Sequence, residues 1–83
     1  MDSHKIKKLI EKHIDNSIAI VETNDNVHFE VIVISDTFKN IKNRVLRQKL
    51  VYSALGDKIT NGEIHALQLK THTHSSWEQA SKK

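Results

Sequence analysis

Residues 17–35 read SIAIVETNDNVHFEVIVIS, and this stretch decides the fold. Two runs rich in β-branched residues, Ser17–Thr23 and Val27–Ser35, flank Asn24, Asp25 and Asn26. Ile, Val and Thr have restricted side-chain torsions that suit a pleated surface, whereas Asn and Asp accept turn geometry. The stretch therefore predicts a β-hairpin that supplies strands one and two.

On the N-terminal side, Ile6, Leu9, Ile10, His13 and Ile14 recur at helical spacing behind Asp2 and Ser3, either of which can cap. A first helix follows, with His13 expected on its apolar stripe, partly buried and hydrogen-bonded. On the C-terminal side, Asp36 and Thr37 break the second strand, and Lys39 to Leu55 carries helical periodicity with Gly56 placed as a stop. Ile41, Val45, Tyr52 and Leu55 are expected to form one apolar face of this long helix. Leu46 and Leu50, four residues apart, project from nearly the opposite side, either beneath another helix or as a docking patch.

Farther out, an irregular turn through Asn61 and Gly62 leads into a third strand over residues 64–71. Alternation groups Ile64, Ala66, Gln68 and Lys70 on one face and His65, Leu67, Leu69 and Thr71 on the other. Ser75–Glu78 has the Ser-x-x-Glu form of a capping box, so a short last helix is expected there. The order αββαβα predicts an α+β fold with a three-stranded sheet packed on helices.

At 83 residues the chain is expected to form one domain, 1–83, with one modest core. Its 37% hydrophobic and 28% charged residues suit a globular protein. With no cysteine it has no disulfide and no thiolate, so any metal must be held by His, Asp or Glu or by a partner's sulfur. The net charge of +3 is a mild bias that does not by itself indicate nucleic acid. No apolar run reaches membrane-spanning length and MDSHKIKKLIEK lacks the pattern of a signal peptide, so the expectation is a cytoplasmic protein without membrane association. Catalysis is not expected: the sequence has no Gly-x-Ser-x-Gly turn, no His-Glu-x-x-His and, with two glycines, no phosphate-cradling loop.

Six histidines in so short a chain are the unusual feature. His4, His72 and His74 read as surface or boundary residues, and position alone makes His28 and His65 more often structural than ligating.

VHFEVIVISDTF (27–38), a basic helix ending LVYSAL (50–55), IHALQLKT (64–71) and SSWE (75–78) together resemble the BolA-like family over nearly the whole chain. The most specific part is Ile64-His65-Ala66-Leu67 with Trp77 downstream. The resemblance implies a class II KH-like fold. It places the chain in the branch with Arg47-Gln48-Lys49 where many members carry Arg-His-Arg, and Thr73-His74 stands where many have Thr-Pro.

It further implies that His65 helps to hold iron, with His28 the nearest match to a second ligand from the region joining the first two strands. The implied function is that of a non-catalytic adaptor in iron-sulfur and iron homeostasis and stress response. Its implied partner is a monothiol glutaredoxin that shares a bridging 2Fe-2S cluster through its own cysteine and glutathione. No cofactor is expected in the isolated chain, which alone would be a monomer or weak homodimer. The alternative is a KH-like nucleic-acid-binding transcriptional regulator. Lys39, Lys42, Arg44, Leu46, Arg47, Lys49 and Leu50 are the candidate surface for a partner or for nucleic acid. Without a Gly-x-x-Gly loop, nucleic-acid binding is expected to be weak and salt-sensitive.

Overall fold

The computed structural model describes residues 2–62, 64 and 66–81. Helix α1 runs over Ser3–His13, strand β1 over Ser17–Thr23 and strand β2 over His28–Ser35. A 3-10 turn at Asp36–Asn40 precedes α2 (Arg44–Leu55) and the single turn α3 (Asp57–Thr60), and β3 (Ala66–His72) and α4 (His74–Ser81) complete the order. The expected α+β arrangement and its element order are present. The sheet order is β1-β2-β3. β1 and β2 pair antiparallel from Ser17↔Ser35 to Thr23↔Phe29, and β2 and β3 pair parallel from His28↔Ala66 to Ile34↔His72. A parallel pair needs a crossover, and α2 with α3 supplies it.

The alternation of β1 and β2 sorts the sheet into two faces. Ala19, Phe29, Val31 and Val33 turn inward, where they meet Ile6, Ile10 and Ile14 from the α1 region, Val51 and Leu55 of α2, Phe38 and Ile64. Each Ile, Val, Leu or Phe among them contributes roughly 1.5–3 kcal/mol when fully buried. Glu22, Glu30, Gln68 and Lys70 lie exposed on the outer face. Ile34, of outward parity, is buried at the end of the sheet where α4 meets β2 and β3.

Local chemistry explains where the elements start and stop. Asp2 caps α1 by accepting from the Lys5 N–H at 2.8 Å. His13 is exposed, contrary to expectation, because the buried line of α1 passes through Ile6 and Ile10 to Ile14 and leaves His13 beside it. Asn16 and Asn26 both adopt positive φ, which Asn tolerates in turns.

The long helix starts at Arg44, five residues later than the periodicity predicts. Ser35 caps the 3-10 turn by accepting from the Thr37 N–H, which drives Phe38 into the core. Asn43 then caps α2, its Oδ1 accepting from Val45 and Leu46 N–H at 2.8 and 3.4 Å. The interruption resets the helical phase, so Ile41 and Val45 do not share the buried face. That face is Val51 and Leu55, with Leu50 and Ala54 packed partly against the core. Val45 and Leu46 are 57% and 52% exposed, and Tyr52 is also exposed. Gly56 ends the helix at φ +49° with its N–H on Tyr52 O, as expected.

The turn expected before β3 contains α3, and Ile64 donates its N–H to Lys58 O. Ile64 is buried ahead of the strand, so it leaves the exposed set formed by Ala66, Gln68 and Lys70, while Leu67, Leu69 and Thr71 are half-buried as alternation requires. The α4 capping box is Thr73-x-x-Ser76 and not Ser75–Glu78: Thr73 Oγ1 accepts from the Ser76 N–H at 3.1 Å and Ser76 Oγ accepts from the Thr73 N–H at 3.0 Å. Asp36 fixes this start by holding the backbone N–H and ring of His74. Among the described residues no helix is long and apolar enough to cross a membrane.

Candidate functional site

The β1–β2 turn, an expected hairpin, is built around Asp25. Its Oδ1 accepts from the backbone N–H groups of Val27 and His28 at 3.0 and 2.9 Å. Thr23 Oγ1 closes the other side, donating to His28 O and accepting from the Asn26 N–H. Asp25 Oδ2 is then left facing His28 Nδ1 at 2.7 Å. The N–H of His28, then that of Val27, then the His28 ring hold the Asp25 carboxyl far below the usual carboxylate range.

This geometry determines which ring nitrogen is available. An ionised carboxylate has only acceptor sites, so the neutral His28 ring carries its proton on Nδ1. Nε2 then presents a lone pair, the pattern of a metal-ligating imidazole steadied by a carboxylate. The ring is exposed and borders an open groove of about 660 Å³ whose rim includes Glu22, Asp25, Glu30, Ala66 and Gln68.

His28 opens β2 directly beside Ala66, which opens β3 and donates its N–H to Val27 O at 3.3 Å. His65, the other expected ligand, immediately precedes Ala66 in sequence and lies outside the described residues. Among the described residues no group of three or more His, Asp or Glu side chains is set to hold a metal ion. His28 therefore presents one donor nitrogen, and the described residues form no closed metal site around it. Asp25 was legible only as a turn former. Its spacing three residues ahead of a strand-opening histidine is the signal that connects the two.

The remaining histidines have other surroundings. His4 and His13 are exposed on α1. His72 Nδ1 lies 3.0 Å from Ser76 Oγ and its ring meets Trp77 edge-on at 5.5 Å, so it packs β3 against α4. Burial first, then the charges of Lys70 and Arg47, push its pKa down. His74 Nδ1 lies 3.0 Å from Asp36 Oδ1, and this ring is the largest influence holding Asp36 low.

The surface expected around α2 divides into two sets. Lys39, Lys42, Arg44, Leu46 and Lys49 are exposed, and Val45 and Tyr52, which had been expected on the buried side, join them. Arg47 is instead committed to the fold: Nη2 donates to Phe38 O at 2.8 Å, Nε donates to Ile41 O, and the guanidinium lies 5.6 Å from the Phe38 ring centre. Leu50 packs partly against the core.

Comparison with known proteins agrees with this architecture. A family model described as "BolA-like protein" matches residues 2–76. The acid stress protein IbaG of Escherichia coli K12 is 30% identical over 85 residues, covering 99% of this chain and 95% of that protein. A solved BolA homologue from Coxiella burnetii superposes with a TM-score of 0.79 at 38% identity, covering 94% of this chain and 97% of the other. The BolA domain of SufE1 from Arabidopsis thaliana gives 0.75 at 28% identity, covering 89% and 93%.

Proposed function

The chain belongs to the BolA-like protein family, and from that premise we propose that it is a non-catalytic adaptor that pairs with a monothiol glutaredoxin and helps to hold a bridging 2Fe-2S cluster. The observation that carries this reading is the His28 ring, held through Nδ1 by Asp25 with Nε2 left to ligate. His65 is the second ligand in this reading, on its motif position beside Ala66. Two imidazoles and no cysteine require the partner's thiolate and glutathione to complete the set. An imidazole-ligated 2Fe-2S centre has a higher potential than an all-thiolate one.

The chain's own residues supply position and a contact surface. The Asp25 carboxylate fixes the ring and its tautomer, which suits a shared site better than a freely rotating histidine. Val45, Leu46 and Tyr52 are exposed apolar side chains of α2, and with the exposed cations Lys39, Lys42, Arg44 and Lys49 they offer groups on which a protein can dock. The E. coli relative's name supports a place in stress response. Family membership likewise supports an adaptor over an enzyme.

The test is to mix the chain with a monothiol glutaredoxin, glutathione, iron and sulfide and record visible absorption and circular dichroism. A spectrum that neither protein gives alone supports the adaptor. Its absence, together with nanomolar sequence-selective binding of nucleic acid at physiological salt, would favour a KH-like regulator instead.

A further inference from the structure

The two edges of the sheet are finished differently. At the β1 edge, Glu11 Oε2 accepts from the Ala19 N–H at 3.0 Å and Lys7 Nζ donates to Ala19 O at 3.0 Å. Lys7 and Glu11 also pair with each other at 2.7 Å, one helical turn apart. The middle of that edge is therefore occupied by side chains of α1, a recognised way to block strand addition.

Among the described residues the β3 edge has no such cover. Ala66 donates to Val27 O, which sets the phase: Ala66, Gln68, Lys70 and His72 turn their backbone groups toward β2, and Leu67, Leu69 and Thr71 turn theirs outward. Among the described residues nothing takes up the N–H or C=O of those three. An open groove of about 390 Å³ runs between Leu69–His72 and the first turns of α2, where Arg44 and Gln48 line it. Arg44 and Lys70 are both exposed there, and among the described residues no carboxylate lines the groove. The nearby Asp36 is engaged by Lys39 and His74. Burial first, and then the charges of Lys70 and Arg47, push the His72 pKa down.

We propose that β3 is an acceptor edge for an extended acidic segment of a partner protein, which adds as a fourth strand and sets carboxylates on Arg44 and Lys70. The three outward residues supply main-chain hydrogen bonds, and the two cations select the sign of the partner. A second copy of this chain fits less well, because pairing two β3 edges brings the cations of both copies together.

The probe is an N-acetylated eight-residue peptide alternating glutamate and valine, titrated into the full chain labelled with 15N. Expected results are slower amide exchange at Leu67, Leu69 and Thr71 and no binding of the same peptide with lysine for glutamate. Reversing both charges, Arg44→Glu with Lys70→Glu, should weaken binding by about tenfold. Backbone N-methylation of the peptide should abolish binding in one alternating register and be tolerated in the other. Failure to bind, equal tolerance of both methylation registers, or sedimentation showing two copies joined through β3 would overturn the proposal.

Discussion

Asp25→Asn tests the site through one proton. Two backbone N–H groups sit 3.0 and 2.9 Å from Oδ1, so an asparagine must keep its carbonyl oxygen at that position. Its amide nitrogen then replaces Oδ2, 2.7 Å from His28 Nδ1, and presents a donor where the carboxylate presented an acceptor. The neutral ring answers by moving its proton from Nδ1 to Nε2, which removes the lone pair needed for ligation. Substitutions of this supporting kind cost about 10–100-fold in metal affinity, and the cluster shared with glutaredoxin should be lost to a chelator more readily by a similar factor. The turn keeps both backbone bonds, so the chain should stay folded, with the urea midpoint lowered by loss of the charge-assisted part of those bonds. Ring 15N shifts at about pH 8.5, above the usual imidazole range, read the tautomer without any partner. A proton already on Nε2 in the native chain, or the same tautomer in both proteins, would refute the reasoning.

Other outcomes follow from burial and charge. Leu46→Asp should shift stability by no more than about 0.5 kcal/mol because Leu46 is half exposed, yet weaken partner binding in a titration. Leu50→Asp places a charge against the core and should lower the melting temperature strongly. Phe38→Ala removes a fully buried ring and the surface under Arg47, and should cost roughly 3–5 kcal/mol by urea denaturation. Glu11, Asp25 and Asp36 are held below the usual carboxylate range, chiefly by Lys7, the His28 N–H and the His74 ring respectively. With folded values depressed, their stabilisation is full above the unfolded values of about 4 and is lost as pH falls through the folded ones. Urea midpoints measured against pH should therefore decline only below about pH 4 on their account; a loss traced to these carboxylates at higher pH would reverse the sign.

The hairpin was legible because β-branched runs and an Asn-Asp-Asn turn give the same answer at every level. The beginning of α2 was not, since Lys39–Asn43 fits a helix by pattern, and only the burial of Phe38 and the Asn43 cap separate a 3-10 turn from it. The interruption separates Ile41 from α2, which buries Val51 and Leu55 and leaves Val45 and Tyr52 exposed. Ser75–Glu78 and Thr73–Ser76 both suit a cap, and the choice between them rests on Asp36, 38 residues before His74 in sequence. At the site, sequence singled out His28 through family resemblance, but the pairing with Asp25 depends on a carboxylate whose first oxygen is consumed by the turn itself.

The central claim, that His28 and His65 hold a cluster jointly with a partner, is tested most directly by visible circular dichroism of the glutaredoxin heterocomplex formed with single variants. His28→Ala and His65→Ala should each abolish or strongly alter the heterocomplex spectrum while thermal melts show a folded chain. His4→Ala, at an exposed position on α1, should match the native protein. A native spectrum and native affinity in both His28→Ala and His65→Ala would contradict the account.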